Sequence, residues 1–216
     1  MTGKRCGART LVFPEKPVLS GFAAVAGKKE SEGPLGRSFD YTAEDTSFGE
    51  KTWEKAESRM QKEAAARALG KAGLTAQDLQ FIFAGDLINQ CVPSAYGMRG
   101  TESPYVGLYG ACSTMAESLM LAAMAVDGGW AQAAMAVTSS HFAAAERQYR
   151  FPLEYGGQRT PTAQWTVTGA GCAVVTAQGD GPRIVRACAG KIVDYGVKDA
   201  NNMGAAMAPA VRENAP

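Results

Sequence analysis

Cys112 lies in the stretch Tyr105-Val106-Gly107-Leu108-Tyr109-Gly110-Ala111-Cys112-Ser113, where a short apolar run turns through Gly-Ala into a long apolar segment. The run before it reads as a buried strand and the segment after it as a buried helix, and a thiol between the two meets free backbone N–H groups and the positive end of the helix dipole, which favour the thiolate. The same N–H groups receive an anion or a developing oxyanion. The position therefore suits a nucleophile or a member of an anion site, against the alternative of a cysteine that is only a small buried hydrophobe. His141 is the chain's single histidine and follows the strand-like run Ala133–Thr138 through Ser139-Ser140. That places it at the C-terminal end of a parallel strand, where such sheets hold ligands. It is a candidate base for Cys112, a candidate donor to a bound carboxylate, or a histidine satisfied locally in its loop. The segment from Glu146 to Trp165 is dense in arginine, glutamine and aromatics, among them Arg150, Arg159, Gln164, Tyr155 and Trp165. Arginine pairs bidentately with carboxylates and aromatics stack on planar rings, so the segment suits a flat dicarboxylate. Tyr, Trp and Arg equally favour protein contacts, which makes an interface loop the alternative.

Several classes of chemistry are disfavoured. The charge is balanced, with 22 basic against 21 acidic residues, so no basic excess points to nucleic acid. Cys6, Cys91, Cys112, Cys172 and Cys188 are scattered and never in a C-x-x-C pair, which argues against a zinc site and a disulfide framework. Cys91 and Cys172 read as structural. One histidine cannot build a multi-histidine metal site. Gly169-Ala170-Gly171 fits no phosphate-loop spacing and reads as a tight strand bend. No stretch reaches the ~18 consecutive apolar residues of a membrane span. Met1–Arg9 carries Lys4, Arg5 and Arg9 with no apolar run behind them, so no signal peptide is expected.

The elements that must hold these residues alternate. Val18–Ala26 reads as a strand, and the polar stretch Gly27–Glu50 as a long functional or interface loop. Trp53, Ala56, Met60, Ala64 and Ala68 recur at helical spacing, with Glu and Lys or Arg on the opposite face and Gly73 placed as the stop. Thr75 and Asp78 form a capping box for a short turn. Phe81-Ile82-Phe83-Ala84 suits a central parallel strand buried on both faces. A loop with a helical turn, a strand at Tyr105–Tyr109, a helix from Ser113 to Val126 and a strand at Ala133–Thr138 follow. Trp165–Ala177 and Arg183–Val193 are extended runs across the turn Gly179-Asp180-Gly181-Pro182, so a hairpin is predicted. A helix starts after Asp199. The pattern is α/β with a mainly parallel sheet. Met115, Leu119, Met120, Leu121, Met124 and the alanines among them cover nearly the whole circumference of the Ser113–Val126 helix. A helix apolar all round is buried all round, which implies a second layer beyond it, as in a five-layered αβαβα sandwich.

The Gly110-Ala111-Cys112-Ser113 unit resembles the nucleophile turn of thiolases and ketoacyl synthases, and Gly169-Ala170-Gly171-Cys172-Ala173-Val174-Val175 resembles the strand that closes their N-terminal half. More specific are Thr138-Ser139-Ser140-His141-Phe142, Arg150-Phe151-Pro152-Leu153-Glu154-Tyr155-Gly156 and Pro161-Thr162-Ala163-Gln164-Trp165-Thr166-Val167-Thr168-Gly169. These resemble the stage V sporulation protein AD family, as do Gly85-Asp86-Leu87-Ile88-Asn89-Gln90 and Asp199-Ala200-Asn201-Asn202-Met203-Gly204. The likeness covers essentially the whole chain. It implies a thiolase-like αβαβα sandwich, with residues 1–180 as the N-terminal domain and 181–216 as the beginning of the second half. It implies a protein that binds dipicolinic acid and assists its uptake into the developing spore. The expected partners are other stage V sporulation proteins of the same operon, and the expected place is the surface of the spore inner membrane. A homodimer is expected, because thiolase relatives are commonly dimers. No cofactor and no metal are implied. The candidate ligand residues are Cys112, His141, Arg150, Arg159 and Gln164.

Thiolases complete their site with a histidine and a second cysteine or histidine from the C-terminal half. This sequence has no second histidine and stops where that half begins, so a binding protein is expected rather than a working thiolase. The alternatives are an acyl-transferring or condensing enzyme using Cys112, and a non-binding scaffold for spore membrane partners. Val211–Pro216 does not resemble the family's continuation, so a truncated chain with open sheet and helix surface, and poor solubility, is expected.

Overall fold

The computed structural model describes residues 4–149, 166–199 and 202–214. In chain order the elements are β1 (Arg5–Cys6), β2 (Thr10–Val12), β3 (Val18–Ala26), α1 (Lys28–Ser31), β4 (Tyr41–Thr42), α2 (Trp53–Ala72), β5 (Phe81–Gly85), α3 (Val92–Met98), β6 (Tyr105–Leu108), α4 (Thr114–Asp127), β7 (Ala133–Ser140), α5 (Phe142–Tyr149), β8 (Gly169–Thr176), β9 (Arg186–Cys188) and α6 (Met203–Asn214). The main sheet has the order β4-β3-β8-β7-β5-β6. β3 runs parallel to β4, and β5 parallel to both β6 and β7; β8 alone is antiparallel, lying between β3 and β7.

Strand alternation explains the two cores. Side chains one residue apart point to opposite faces of a sheet. Ile82, Ala84, Met135, Val137, Cys172 and Val174 face α2, whose Ala56, Met60, Ala64 and Ala68 join the same cluster. Phe83, Ala134, Ala136, Ala173 and Val175 face α4 and meet Ala122, Ala125 and Val126. Both faces of these central strands are covered, as the unbroken apolar runs predict. The result is three layers, α-β-α, around one sheet.

Local chemistry sets the limits of α2. Thr52 caps it, accepting from the Lys55 N–H at 3.3 Å, and Gly73 ends it in the left-handed conformation at φ 67°. The capping box of Thr75 and Asp78 forms around a single 3₁₀ turn. α2 is pressed onto β3 at Gly21, where a Cβ would stand 2.3 Å from the Ala68 carbonyl oxygen.

Five expectations are corrected. The stretch 27–50 is not one loop but carries α1, a 3₁₀ turn at Gly36–Ser38 and β4. The run after Gly181 does not form a hairpin with β8: β9 pairs antiparallel with β2, and β1 completes a separate three-stranded sheet. That pairing crosses residue 180, as does the bond from Arg9 to Asn214 Oδ1 at 2.6 Å. Gly169-Ala170-Gly171 is no bend but the regular start of β8, where glycine lets β3 approach: a Cβ on Gly169 would lie 2.8 Å from the Val25 carbonyl oxygen. β6 is an edge strand, exposed at Tyr105, Val106 and Gly107, rather than a buried one. Finally, α4 is not buried all round. Thr114, Ser118, Ala122, Ala125 and Val126 are buried, whereas Ala116 is exposed and Met115, Leu119, Met120 and Met124 are half-buried, because no second sheet covers them among the described residues.

Candidate functional site at the strand ends

The C-terminal ends of β5, β6 and β7 lie side by side and carry three turns. The first leads from β6 into α4. Ala111 takes a positive φ of 49°, and Ala111–Ser113 forms one 3₁₀ turn. Thr114 locks it: its hydroxyl donates to the Ala111 carbonyl at 2.8 Å and accepts from the Gly110 N–H at 3.2 Å. Thr114 itself is fully buried against Gly85, where a Cβ would come within 2.5 Å of its methyl group. The Ser113 hydroxyl turns back to the Gly110 carbonyl at 2.7 Å. Cys112 is left exposed with a free thiol, so it is not a buried hydrophobe. Cys91 and Cys172 are buried, and burial pushes both thiols up. Glu117 stands in the first turn of α4, and its carboxylate lies against Gly110, a favourable place for negative charge at a helix start.

The second turn joins β5 to α3 and falls on Gly85-Asp86-Leu87-Ile88-Asn89-Gln90. Gln90 and Cys91 are successive left-handed residues at φ 64° and 52°. Asp86, only 1% exposed, holds this shape. Its Oδ1 accepts from the Ile88 N–H at 2.8 Å, and its Oδ2 from both the N–H (2.9 Å) and the hydroxyl of Ser94. Burial raises the Asp86 carboxyl, and the Ser94 bonds oppose that rise. The Cys91 thiol donates to the Leu108 carbonyl at 3.0 Å, and Tyr109 donates to Asn89 Oδ1 at 3.0 Å. These bonds join the first two turns. Burial also pushes the Tyr105 phenol up to about 12.

The third turn follows β7. His141 is fully buried, stacked on Trp53 at 5.2 Å and on Phe142 at 5.1 Å between ring centres. Its Nε2–H donates to the Thr46 carbonyl at 2.8 Å, and its Nδ1 accepts from the Ala143 N–H at 3.2 Å. This pattern is that of the neutral ring. β5 separates its strand from the one that leads to Cys112, a span of roughly 10 Å across two inter-strand spacings. The structure therefore does not bring His141 to Cys112; it uses the ring to tie the 41–50 stretch to the end of β7. Arg150, Arg159 and Gln164 lie outside the described residues. Their flanks are anchored beside β7: Phe142 N–H donates to Thr168 Oγ1 at 3.0 Å, and Thr166 N–H to Glu146 Oε1 at 3.3 Å.

Sequence reading missed a buried polar network beneath these turns. Glu57 and Gln61, one helical turn apart on α2, are both fully buried. The Ser139 hydroxyl donates to Glu57 Oε1 at 2.8 Å. Gln61 Nε2 lies within hydrogen-bond distance of the Gly85 carbonyl (3.1 Å), Ser94 Oγ (2.9 Å) and Ser139 Oγ (2.7 Å). Among the described residues, Glu57 Oε2 and Gln61 Oε1 have no hydrogen-bond partner. Burial pushes the Glu57 carboxyl up to about 8; the Ser139 bond opposes this and the Asp86 and Glu54 charges reinforce it. The usable signal was the position of Glu57 and Gln61 directly beside Ala56 and Met60, inside the arc that α3 and the strand ends cover.

Together the turns offer an exposed thiol and the N-terminal N–H groups of a helix, with Tyr109 and Asn89 beside them. That set can receive a carboxylate or attack an acyl group. Among the described residues no group of His, Cys, Asp and Glu could hold a metal ion, and no helix is long and apolar enough to cross a membrane.

Comparison with known proteins agrees with this architecture. 3-Oxoacyl-[acyl-carrier-protein] synthase III of Aquifex aeolicus is similar over 76% of this chain and 55% of its own, at a TM-score of 0.50 and 18% identity. OleA of Xanthomonas campestris is similar over 76% and 57%, at a TM-score of 0.51 and 14% identity. At such identities the likeness speaks for the fold, which is thiolase-like. Stage V sporulation protein AD of Bacillus subtilis (strain 168) is 43% identical over 210 residues, 97% of this chain and 62% of that protein, so the chain spans about three-fifths of its curated relative's length. The family model for stage V sporulation protein AD matches residues 7–215. The chain belongs to the stage V sporulation protein AD family.

Proposed function

We propose that this protein binds dipicolinic acid at the strand ends around Cys112 and assists its uptake into the developing spore. The observation that carries this reading is the family match over nearly the whole chain, joined to a strand-end site in which the only histidine is already committed. One ligand carboxylate would meet the N–H groups at the start of α4 beside Cys112, and Tyr109 would stack on the planar ring. The second carboxylate would pair with Arg150 or Arg159, with Gln164 donating nearby. His141 would support this site through Thr46 and Trp53 rather than touch the ligand. Other stage V sporulation proteins of the same operon, a second copy of the chain and the surface of the spore inner membrane are the proposed company of the site. The test is calorimetric titration of dipicolinate into the purified chain, beside Cys112→Ala and Arg150→Ala. Saturable binding weakened by either change supports the reading. A folded sample that binds nothing refutes it for this chain and favours the scaffold alternative.

The exposed thiol on the strained Ala111 turn favours one second reading, acyl transfer through Cys112. Incubation with acetyl-CoA followed by intact-mass measurement would show an acetyl adduct that Cys112→Ala lacks. An unmodified mass after prolonged incubation would remove this reading.

A further inference from the structure

A groove of about 840 Å³ runs between α2 and α3, on the side of α2 turned away from the sheet. The two helices touch along its floor. The Ser58 hydroxyl donates to the Pro93 carbonyl at 2.9 Å, and Gly97 lies so close that a Cβ would stand 3.1 Å from the Ser58 carbonyl oxygen. Lys55, Arg59 and Lys62 line one wall at spacings of four and three, a row of about 10 Å along the helix. Arg99 and Tyr96 line the other wall, with the guanidinium 5.4 Å from the ring centre. Tyr96 is 57% exposed, a large aromatic surface left to solvent.

The charges in this groove are not equally engaged. Glu50 faces Arg59 at 3.6 Å, and Glu63 is bonded to Arg67 at 2.7 Å. Both carboxylates are half-buried, whereas Lys55, Lys62 and Arg99 are exposed. Among the described residues no ion pair engages these three cations. The groove therefore offers three positive charges outside any ion pair among the described residues, Arg99 lying over the Tyr96 ring, with Val92 and Ala66 as further apolar lining.

We propose that this groove docks an acidic amphipathic segment of a partner protein, its carboxylates on Lys55, Lys62 and Arg99 and an apolar side chain on Tyr96. The carboxylates in the same walls select this occupant. A nucleic acid or an anionic lipid surface presents negative charge everywhere, and would set it against Glu50, Glu54 and Glu63 as well as against the cations. A peptide places its carboxylates only where the cations stand, and its concave receptor buries apolar side chains that a flat headgroup layer lacks. This surface is separate from the strand-end site, so the proposal does not depend on dipicolinate binding.

The test is fluorescence anisotropy of a fluorescein-labelled peptide with the repeat Glu-Glu-Leu-Trp, titrated with the full chain over a range of NaCl concentrations. The expected result is saturable binding that weakens as salt rises. The triple variant K55E/K62E/R99E, whose circular dichroism should match the wild type, is expected to bind at least about tenfold more weakly, since each exposed contact is lost and replaced by repulsion. Tyr96→Ala should weaken binding while leaving its salt dependence in place. Equal binding by the wild type and the triple variant overturns the proposal. So does wild-type binding to phosphatidylserine vesicles that the triple variant loses, with no binding of the peptide, since the groove would then serve a membrane.

Discussion

Replacing Glu57 by Gln should change how the stability of this protein depends on pH. The carboxyl is fully buried, bonded to Ser139, and its pKa is raised from an ordinary 4.5 to about 8. The native state therefore keeps a proton that the unfolded chain releases above 4.5. Stability from this group is fully present below 4.5 and is lost as pH rises towards and through 8. With those two values, linkage gives a fall of about 3–4 kcal/mol between about pH 5 and about pH 8. Glutamine has nearly the same shape, keeps the oxygen that accepts from Ser139, and does not titrate. Urea unfolding of the wild type and Glu57→Gln at several pH values would measure the difference. The variant should lack this fall and should be the more stable protein at pH 8. If the two proteins lose stability in parallel from pH 5 to pH 8, Glu57 is not held neutral and the reasoning fails.

Two further outcomes follow from the geometry. Gly85→Ala should lower stability by several kcal/mol, because its Cβ would stand 2.2 Å from the Leu108 carbonyl oxygen and 2.5 Å from Thr114, and thermal unfolding would measure the loss. A variant that melts with the wild type would show that β5, β6 and the Thr114 lock are not packed as described. Iodoacetamide on the native protein should label Cys112 well before Cys91 or Cys172, since only the first of these is exposed. Peptide mass mapping over time checks the order, and early labelling of Cys172 would contradict its place in the core.

What the sequence disclosed was the part encoded locally. β3 and α2 carry their own limits, in the apolar run Val18–Ala26 and in the helical spacing that starts at Trp53 and stops at Gly73. β5 was legible because the unbroken apolar run Phe81–Ala84 suits a strand buried on both faces. The short strands were not legible: β1, β2 and β4 are two or three residues long, too short for an alternating pattern to show. β9 pairs with β2 across more than 170 positions, so the turn at 179–182 promised a hairpin that the chain does not make. Glu57 falls under the expectation that Glu and Lys or Arg of α2 face solvent, and Gln61 carries no sequence signal of its own for burial. α3, containing Pro93 and Gly97, carries too weak a helical pattern to reveal that it covers them. At the site, Cys112 was placed by its turn, whereas the commitment of His141 to Thr46 depends on a loop 95 residues away.

The single reversed strand governs the order in which this sheet can assemble. β3 ends at residue 26, yet apart from the two-residue β4 its hydrogen-bonding edges stay empty until Gly169–Thr176 exists. β5, β6 and β7, by contrast, find one another within residues 81–140. A chain emerging from the ribosome thus carries two partial sheets, one with α2 beside β3 and one with α4 beside β5 and β7, each with an unsatisfied edge. β8 joins the two as a keystone, and the long loop closure it demands makes the time before Gly169–Thr176 emerges the interval in which these partial sheets are most open to wrong pairing.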